Sequence, residues 1–199
     1  KQIMGDTNQS TVWEQLDEYL SRKWTYKDGR EVGISCTLID SGGDATTDVY
    51  RFTKIREHRR IFACKGKGGS AGIPLVGKYT RSNKGNVALF PVGDDESKVL
   101  IFSRLRVEYE GENYCHFPRN KDKGFDETYF KGLVSEKRVK KYVKGHLKFE
   151  WVKDSGARNE PLDTLRYAIA ALEVLNPNFE ALRRYFDENK SFYGEQTQR

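Results

Sequence analysis

Between Gly33 and Gly43 the chain reads Gly-Ile-Ser-Cys-Thr-Leu-Ile-Asp-Ser-Gly-Gly. Apolar and β-branched residues fill this stretch and glycines bound it, which predicts a buried strand. The strand ends on Asp40, so a carboxylate sits at its C-terminal mouth, a place where sheet proteins commonly build sites. A charge held there needs a partner. A metal ion is one such partner. A backbone cap is another, with Asp40 terminating the strand and closing the turn.

The flanking pattern supplies a fold class. A helix begins at Ser10 or Thr11, and Val12, Leu16, Tyr19 and Leu20 share one face. Lys27-Asp28-Gly29-Arg30 is a hairpin signal. After Asp40, Thr46 or Thr47 caps a second helix, whose inner face carries Val49, Tyr50, Phe52, Thr53 and Ile55, and Arg56 to Arg60 close it with positive charge. Arg60 to Cys64 is a second short strand that ends in the basic glycine loop Lys65-Gly66-Lys67-Gly68-Gly69. Asn86 to Val92 is a third strand, broken by Gly93-Asp94-Asp95, and a helix follows from Glu96 to Arg106. A short strand is expected at Tyr114 to Phe117 and another at Leu147 to Val152. Leu162 to Leu175 is the most hydrophobic helix, and Phe179 to Glu188 is a last amphipathic one. Strands alternating with helices indicate α/β: a mixed central sheet flanked by helices. The expected organisation is a single domain over residues 1–199, with 1–10 disordered and 177–199 a helical extension. A chain that starts at Lys1 reads as a piece of a longer protein.

Charge and cysteine content narrow the setting. Thirty-five Lys and Arg against 29 Asp and Glu leave a net charge of +6, which suits a polyanionic partner without requiring one. Three widely spaced cysteines fit neither a zinc pattern nor a disulfide framework, which suggests a reducing compartment. No apolar run approaches a membrane span, and no signal peptide is visible.

Three groups of residues invite a chemical reading. Gly72 to Tyr79 nearly matches a phosphate-binding loop, but Tyr79 stands where the magnesium-ligating hydroxyl belongs and Pro74 removes a backbone donor. It reads as a plain glycine-rich loop. The second group is carboxylates: Asp40 at one strand end, Asp94 and Asp95 at another, and Glu160 and Asp163 at the start of the hydrophobic helix. Converging carboxylates repel one another, and Mg²⁺ or Mn²⁺ resolves that. Each acid has an ordinary alternative as a cap or a partner of a helix N-terminus. The third group is basic: Lys65 and Lys67 on the glycine loop, and Lys137, Arg138, Lys140 and Lys141 interleaved with apolar residues. Such a run is either a solvated face or a grip on phosphates that is indifferent to sequence.

Several stretches together resemble one family. They include Ile39-Asp40-Ser41-Gly42-Gly43, Lys65-Gly66, Val92-Gly93-Asp94-Asp95-Glu96-Ser97-Lys98 and Tyr114-Cys115-His116-Phe117-Pro118. Glu136-Lys137-Arg138-Val139, Glu150-Trp151-Val152-Lys153 and Arg158-Asn159-Glu160-Pro161-Leu162-Asp163 continue the match. The chain resembles the C-terminal nuclease domain of lambda-type tailed-phage terminase large subunits over about residues 12–176. The resemblance implies an RNase H/RuvC-like fold and a two-metal endonuclease that cuts concatemeric double-stranded DNA to make packaging ends. It places the first acid on Asp40, bridging two Mg²⁺ or Mn²⁺ ions, and the second on Asp95, in a G-x-D-x-x-K pattern that ends at Lys98. The third acid falls on Asp163, with Glu160 as its alternate, and Lys98 comes near the phosphate. It also implies an ATPase motor elsewhere in the whole protein, a terminase small subunit and a portal as partners, no membrane, and the host cytoplasm as the setting. The alternatives are a non-catalytic DNA-binding or docking module and a junction-resolvase-like nuclease.

Overall fold

The computed structural model describes residues 2–26, 29–68 and 73–189. The chain divides into two compact units. An N-terminal unit holds residues 2–65 and 79–90 together with the segment from 171 onward, and a central unit holds 66–78 and 91–170.

In the N-terminal unit, α1 (Ser10–Leu20) leads into an exposed antiparallel pair, β1 (Lys23–Thr25) and β2 (Glu31–Gly33). The expected turn between them includes Lys27 and Asp28, which lie outside the described residues. The strand foreseen from Gly33 onward is shorter than the sequence suggests. Gly33 completes β2, Ile34 to Cys36 are irregular, and β3 spans Thr37–Asp40. Pairing decides where β3 begins: the Thr37 amide donates to the Arg60 carbonyl at 2.9 Å, and Thr37 to Asp40 then run parallel beside Ile61 to Cys64. The crossover is α2 (Thr46–Lys54), as parallel neighbours require. Ala45 rather than a threonine takes its N-cap position, and the Thr46 hydroxyl donates back to the carbonyls of Ser41 and Gly43.

The strand β4 (Ile61–Lys67) runs on through Lys65-Gly66-Lys67, residues expected in a loop. With β5 (Thr80–Arg81) and β6 (Ala88–Gly93) it completes a mixed four-stranded sheet, ordered β3-β4-β6-β5. Val49, Ala63 and Val87 form the core of this unit, covered by Trp13, Ile39, Tyr50 and Leu89. No residue of α1 is fully buried, and contacts at its edge hold it. Trp13 packs against Phe52 with the rings tilted and their centroids 5.1 Å apart, and Asp17 receives Arg56 and Arg59. The Arg56 hydrogen bond, opposed by burial and aided by Arg59, holds the Asp17 carboxyl down at about 2. The last helix, α6 (Phe179–Glu188), falls where its periodicity places it.

In the central unit, α3 (Asp94–Arg104) begins two residues before the expected start, so Asp94 and Asp95 lie in its first turn. Gly93 precedes it because nothing larger fits: a Cβ there would stand 2.5 Å from the Pro74 carbonyl oxygen. Next come α4 (Glu127–Leu133), the ribbon β7 (Glu136–Val143) and β8 (His146–Lys153), and α5 (Glu160–Leu175). The sequence pattern missed α4, although Asp126 caps it by accepting from the Tyr129 amide at 2.9 Å. Tyr114 to Phe117 form no strand. Phe117 instead packs its ring against Phe125, Tyr129 and Phe130, and no neighbouring strand pairs with this segment. The core is Ile101, Leu133 and Leu162, with Phe102, Leu105, Leu165 and Ile169 packed on it. Among the described residues no helix is long and apolar enough to cross a membrane.

Candidate active site

On α3 the residues Asp94, Ser97, Lys98 and Ile101 share one face at spacings of three and four, and the last three of them are buried. On α5, Leu162, Arg166 and Ala170 are buried at spacings of four. Arg166 therefore enters the interior of the central unit as a charge, with only 4% of its surface exposed, and a buried charge must be paired. It is paired three ways. Its Nη1 donates to Asp163 Oδ1 at 2.5 Å, its Nη2 to Asp94 Oδ1, and its Nε to the Ser97 hydroxyl at 2.9 Å. Burial disfavours the Arg166 charge, but Asp94 and Asp163 more than offset it, so the guanidinium stays protonated. Burial likewise pushes the Asp163 carboxyl up, against the pull of Arg166 and Lys98.

A second chain of contacts reaches Asp163 from the base of the ribbon. Lys98 is 8% exposed, and its ammonium donates to Glu136 Oε2 at 2.6 Å. The Asn159 amide nitrogen donates to Glu136 Oε1 at 2.9 Å and to Asp163 Oδ2 at 3.0 Å. Both oxygens of Asp163 are thus held from opposite sides. Two cations face three carboxylates across this network. Gly66 passes close to it, since a Cβ there would lie 2.8 Å from Asp94 Oδ1. That approach explains why the Lys65-Gly66-Lys67 strand carries glycine at its centre.

The sequence-derived residues fall as follows. Asp94 and Asp163 are brought together on Arg166. Asp95 is half-buried one position further round α3 and does not join them. Glu160 opens α5, exposed and paired with Arg158, and its carboxyl is lowered by the helix-start backbone and by that arginine. Lys98, expected to face DNA, has its charge met by Glu136. In the N-terminal unit Asp40 ends β3, and its Oδ1 accepts from the Gly42 amide at 2.9 Å, so one oxygen caps the turn. Within each unit, among the described residues, no three His, Cys, Asp or Glu side chains gather in a metal-binding group. Lys65 and Lys67 are exposed on alternate positions of β4.

Lys137, Arg138, Lys140 and Lys141 are exposed on the β7–β8 ribbon. Lys144 and Gly145 turn the ribbon with φ of 50° and 78°, the conformation that tight hairpins need. Residues 136–153 hold six Lys and Arg outside that turn, and seven with Lys144, against two Glu. One of those Glu, Glu136, is buried on Lys98, and the other, Glu150, pairs with Lys141. Trp151 anchors the base by stacking on Phe102 at 5.2 Å. Beyond it Tyr142, Leu147 and Phe149 are exposed, and Arg138 lies over the Phe149 ring at 4.3 Å.

Asn159, Glu136 and Ser97 lie in stretches that carry the resemblance but were given no role from the sequence, and Arg166 did not stand out at all. Arg166 left one signal there: a charge three residues after Asp163, in a stretch from Leu165 to Leu172 that otherwise carries none.

Residues 1–184 match the family model described as "Terminase large subunit gpA, endonuclease domain". The chain is 34% identical over 176 residues to the large subunit of terminase from Escherichia phage lambda. It is 31% identical over 177 residues to that of Enterobacteria phage P21. Each match covers 86% of this chain and 27% of the relative, so the chain spans about a quarter of the length of these proteins. No solved structure matches it.

Proposed function

Because the chain belongs to the endonuclease-domain family of terminase large subunits, we propose that it is a Mg²⁺- or Mn²⁺-dependent DNA endonuclease with an RNase H-like fold. Its reaction is hydrolysis of phosphodiester bonds in concatemeric double-stranded DNA, which generates genome ends for packaging. One observation carries the reading: Asp94 and Asp163, from helices far apart in sequence, are drawn onto a single cationic group. Arg166 takes one oxygen of each carboxylate, and the hard oxygens that it leaves are the donors a divalent ion would use.

Asp163 and one of the neighbouring acids, Asp94 in preference to Asp95, are the proposed ligands in the central unit, with Glu160 as the alternate. Asp40 is the proposed ligand from the N-terminal unit, assigned from the sequence resemblance. When bound, the ions supply Lewis acidity at the scissile phosphate and an activated water. The protein's share is orientation. Asn159 fixes Asp163 Oδ2, Arg166 fixes Oδ1, and Ser97 holds Arg166 in line. Supercoiled plasmid is nicked when Mg²⁺ or Mn²⁺ is present, and EDTA abolishes the cut. Cleavage that persists in excess EDTA removes the metal from the proposal.

The ribbon is the proposed grip on DNA. A two-stranded β-ribbon fits the major groove, and eight residues per strand reach roughly 26 Å. Its charges would contact phosphates, and Tyr142 and Phe149 would lie against sugars and bases. Replacing Lys137, Arg138, Lys140 and Lys141 by Gln weakens duplex binding at low salt. It also flattens the plot of log affinity against log salt by about one unit for each phosphate that the ribbon no longer holds. An unchanged slope in fluorescence anisotropy places the grip elsewhere.

One arrangement favours a second reading. Asp40 caps its own turn, and Arg166 neutralises Asp94 and Asp163, which also suits a non-catalytic docking module. That module binds duplex in a salt-sensitive way and cleaves with no divalent ion. In the whole protein, the proposed partners are an ATPase motor, the small subunit and the portal, in the host cytoplasm.

A further inference from the structure

At the opposite end of β3 from Asp40, the N-terminal unit contains a cavity of about 410 Å³. It is lined by Arg22, Lys23, His58, Arg59, Arg60 and Thr37, and no carboxylate lines it. Two of the four Lys and Arg side chains are already committed. Lys23 pairs with Glu31 at 3.0 Å, and Arg59 pairs with Asp17 at 2.6 Å and donates to the Ser21 hydroxyl. Arg22 and Arg60 have no hydrogen-bonding or ion-pair partner for their side chains among the described residues. The Thr37 hydroxyl is buried and also unpartnered, which is costly unless something meets it.

Arg60 adds an independent observation. Its φ is 55° and its ψ 39°, the left-handed conformation that glycine and asparagine adopt with least strain. The backbone there is fixed, because the Arg60 amide donates to Glu57 and its carbonyl accepts from Thr37. A strained position at the cavity therefore carries a guanidinium in place of a residue that would relieve the strain. Two unpaired guanidiniums on a cavity that no carboxylate lines make a receptor for a tetrahedral dianion or a phosphodiester.

We propose that this cavity binds a phosphate group, with Arg22 and Arg60 as its charged ligands. The inference does not depend on the nuclease reading. The phosphate belongs either to a DNA backbone or to a small phosphorylated molecule, and one experiment separates them. The variant Arg22→Gln/Arg60→Asn removes both guanidiniums, and Asn tolerates the left-handed backbone. The pair Lys84→Gln/Lys123→Gln removes equal charge from exposed positions outside the cavity.

Each protein is melted with and without inorganic pyrophosphate, and each is titrated with a short duplex over a range of salt. The cavity variant loses the pyrophosphate-induced rise in melting temperature, lowers the salt slope by about one to two units, or does both, and the control pair does neither. A lowered slope assigns the phosphate to DNA. A lost stabilisation with an unchanged slope assigns it to a small phosphorylated molecule. The proposal fails if the cavity variant matches the wild type in both measurements, or if the control pair reproduces its effects.

Discussion

Replacing Asp40 by Asn reduces divalent-dependent nicking of plasmid by more than about a hundredfold, because even groups that only support a metal ligand are worth roughly 10–100-fold. The same substitution leaves the fold intact. Asp40 is exposed at the end of β3, and its structural bond is Oδ1 accepting from the Gly42 amide, which an asparagine carbonyl also makes. The two readings of this residue therefore separate cleanly: a turn cap survives the change and a metal ligand does not. The parallel pair Asp94→Asn and Asp95→Asn identifies the second acid. Asp94 shares Arg166 with Asp163, so its loss is expected to be the larger. Asp163→Asn also lowers activity by more than about a hundredfold, with an added stability loss of about 1.5–3 kcal/mol from its charged hydrogen bonds. Wild-type cleavage by the Asp40→Asn protein, with melting temperature unchanged, ends the nuclease assignment of that carboxylate.

Glu136→Leu is the single change expected to destabilise the protein most. It strands the Lys98 ammonium in the interior of the central unit and removes one acceptor of Asn159. Breaking a buried pair by deleting one partner costs about 3–5 kcal/mol. At this chain length that lowers the melting temperature by roughly 10 °C. Adding Lys98→Met removes the stranded charge, so the double variant recovers most of the loss. Urea denaturation of the wild type, both single variants and the double variant gives the coupling directly. A Glu136→Leu protein as stable as wild type means that water reaches Lys98 and the pair is not buried. The double variant also tests orientation, because Asn159 then holds Asp163 without Glu136 behind it. A fall in nicking despite recovered stability assigns the Lys98–Glu136–Asn159 chain a role in positioning Asp163.

The parts of the fold that could be read from the sequence are those whose cause is local. The start of α1 at Ser10 and the full span of α6 follow from apolar spacing along one face. The second strand of the ribbon follows from the alternation after Lys144-Gly145, and the Asp-Gly signal correctly marked the β1–β2 pair. Where pairing decided the outcome, local pattern misled. Gly33 to Asp40 looks like one strand, yet it serves two sheets, because Gly33 pairs with Lys23 and Thr37 with Ile61. Tyr114 to Phe117 has strand composition, but its aromatic ring found partners on α4. The helix α3 starts two residues early, directly after Gly93, which leaves Asp94 and Asp95 inside its first turn.

By itself, the sequence determined which residues carry charge and roughly where they fall: carboxylates at the ends of two strands and at the start of the hydrophobic helix, and a run of cations from Lys137 to Lys141. Periodicity and turn chemistry act over a few residues, and they suffice for that. Only the tertiary structure decided which charges meet. Arg166 reaches Asp94, 72 positions away, and Lys98 reaches Glu136, 38 positions away, because burial of each cation demands a partner wherever packing delivers one. Arg22, just before β1, and Arg60, just before β4, also come to one cavity only through the tertiary fold.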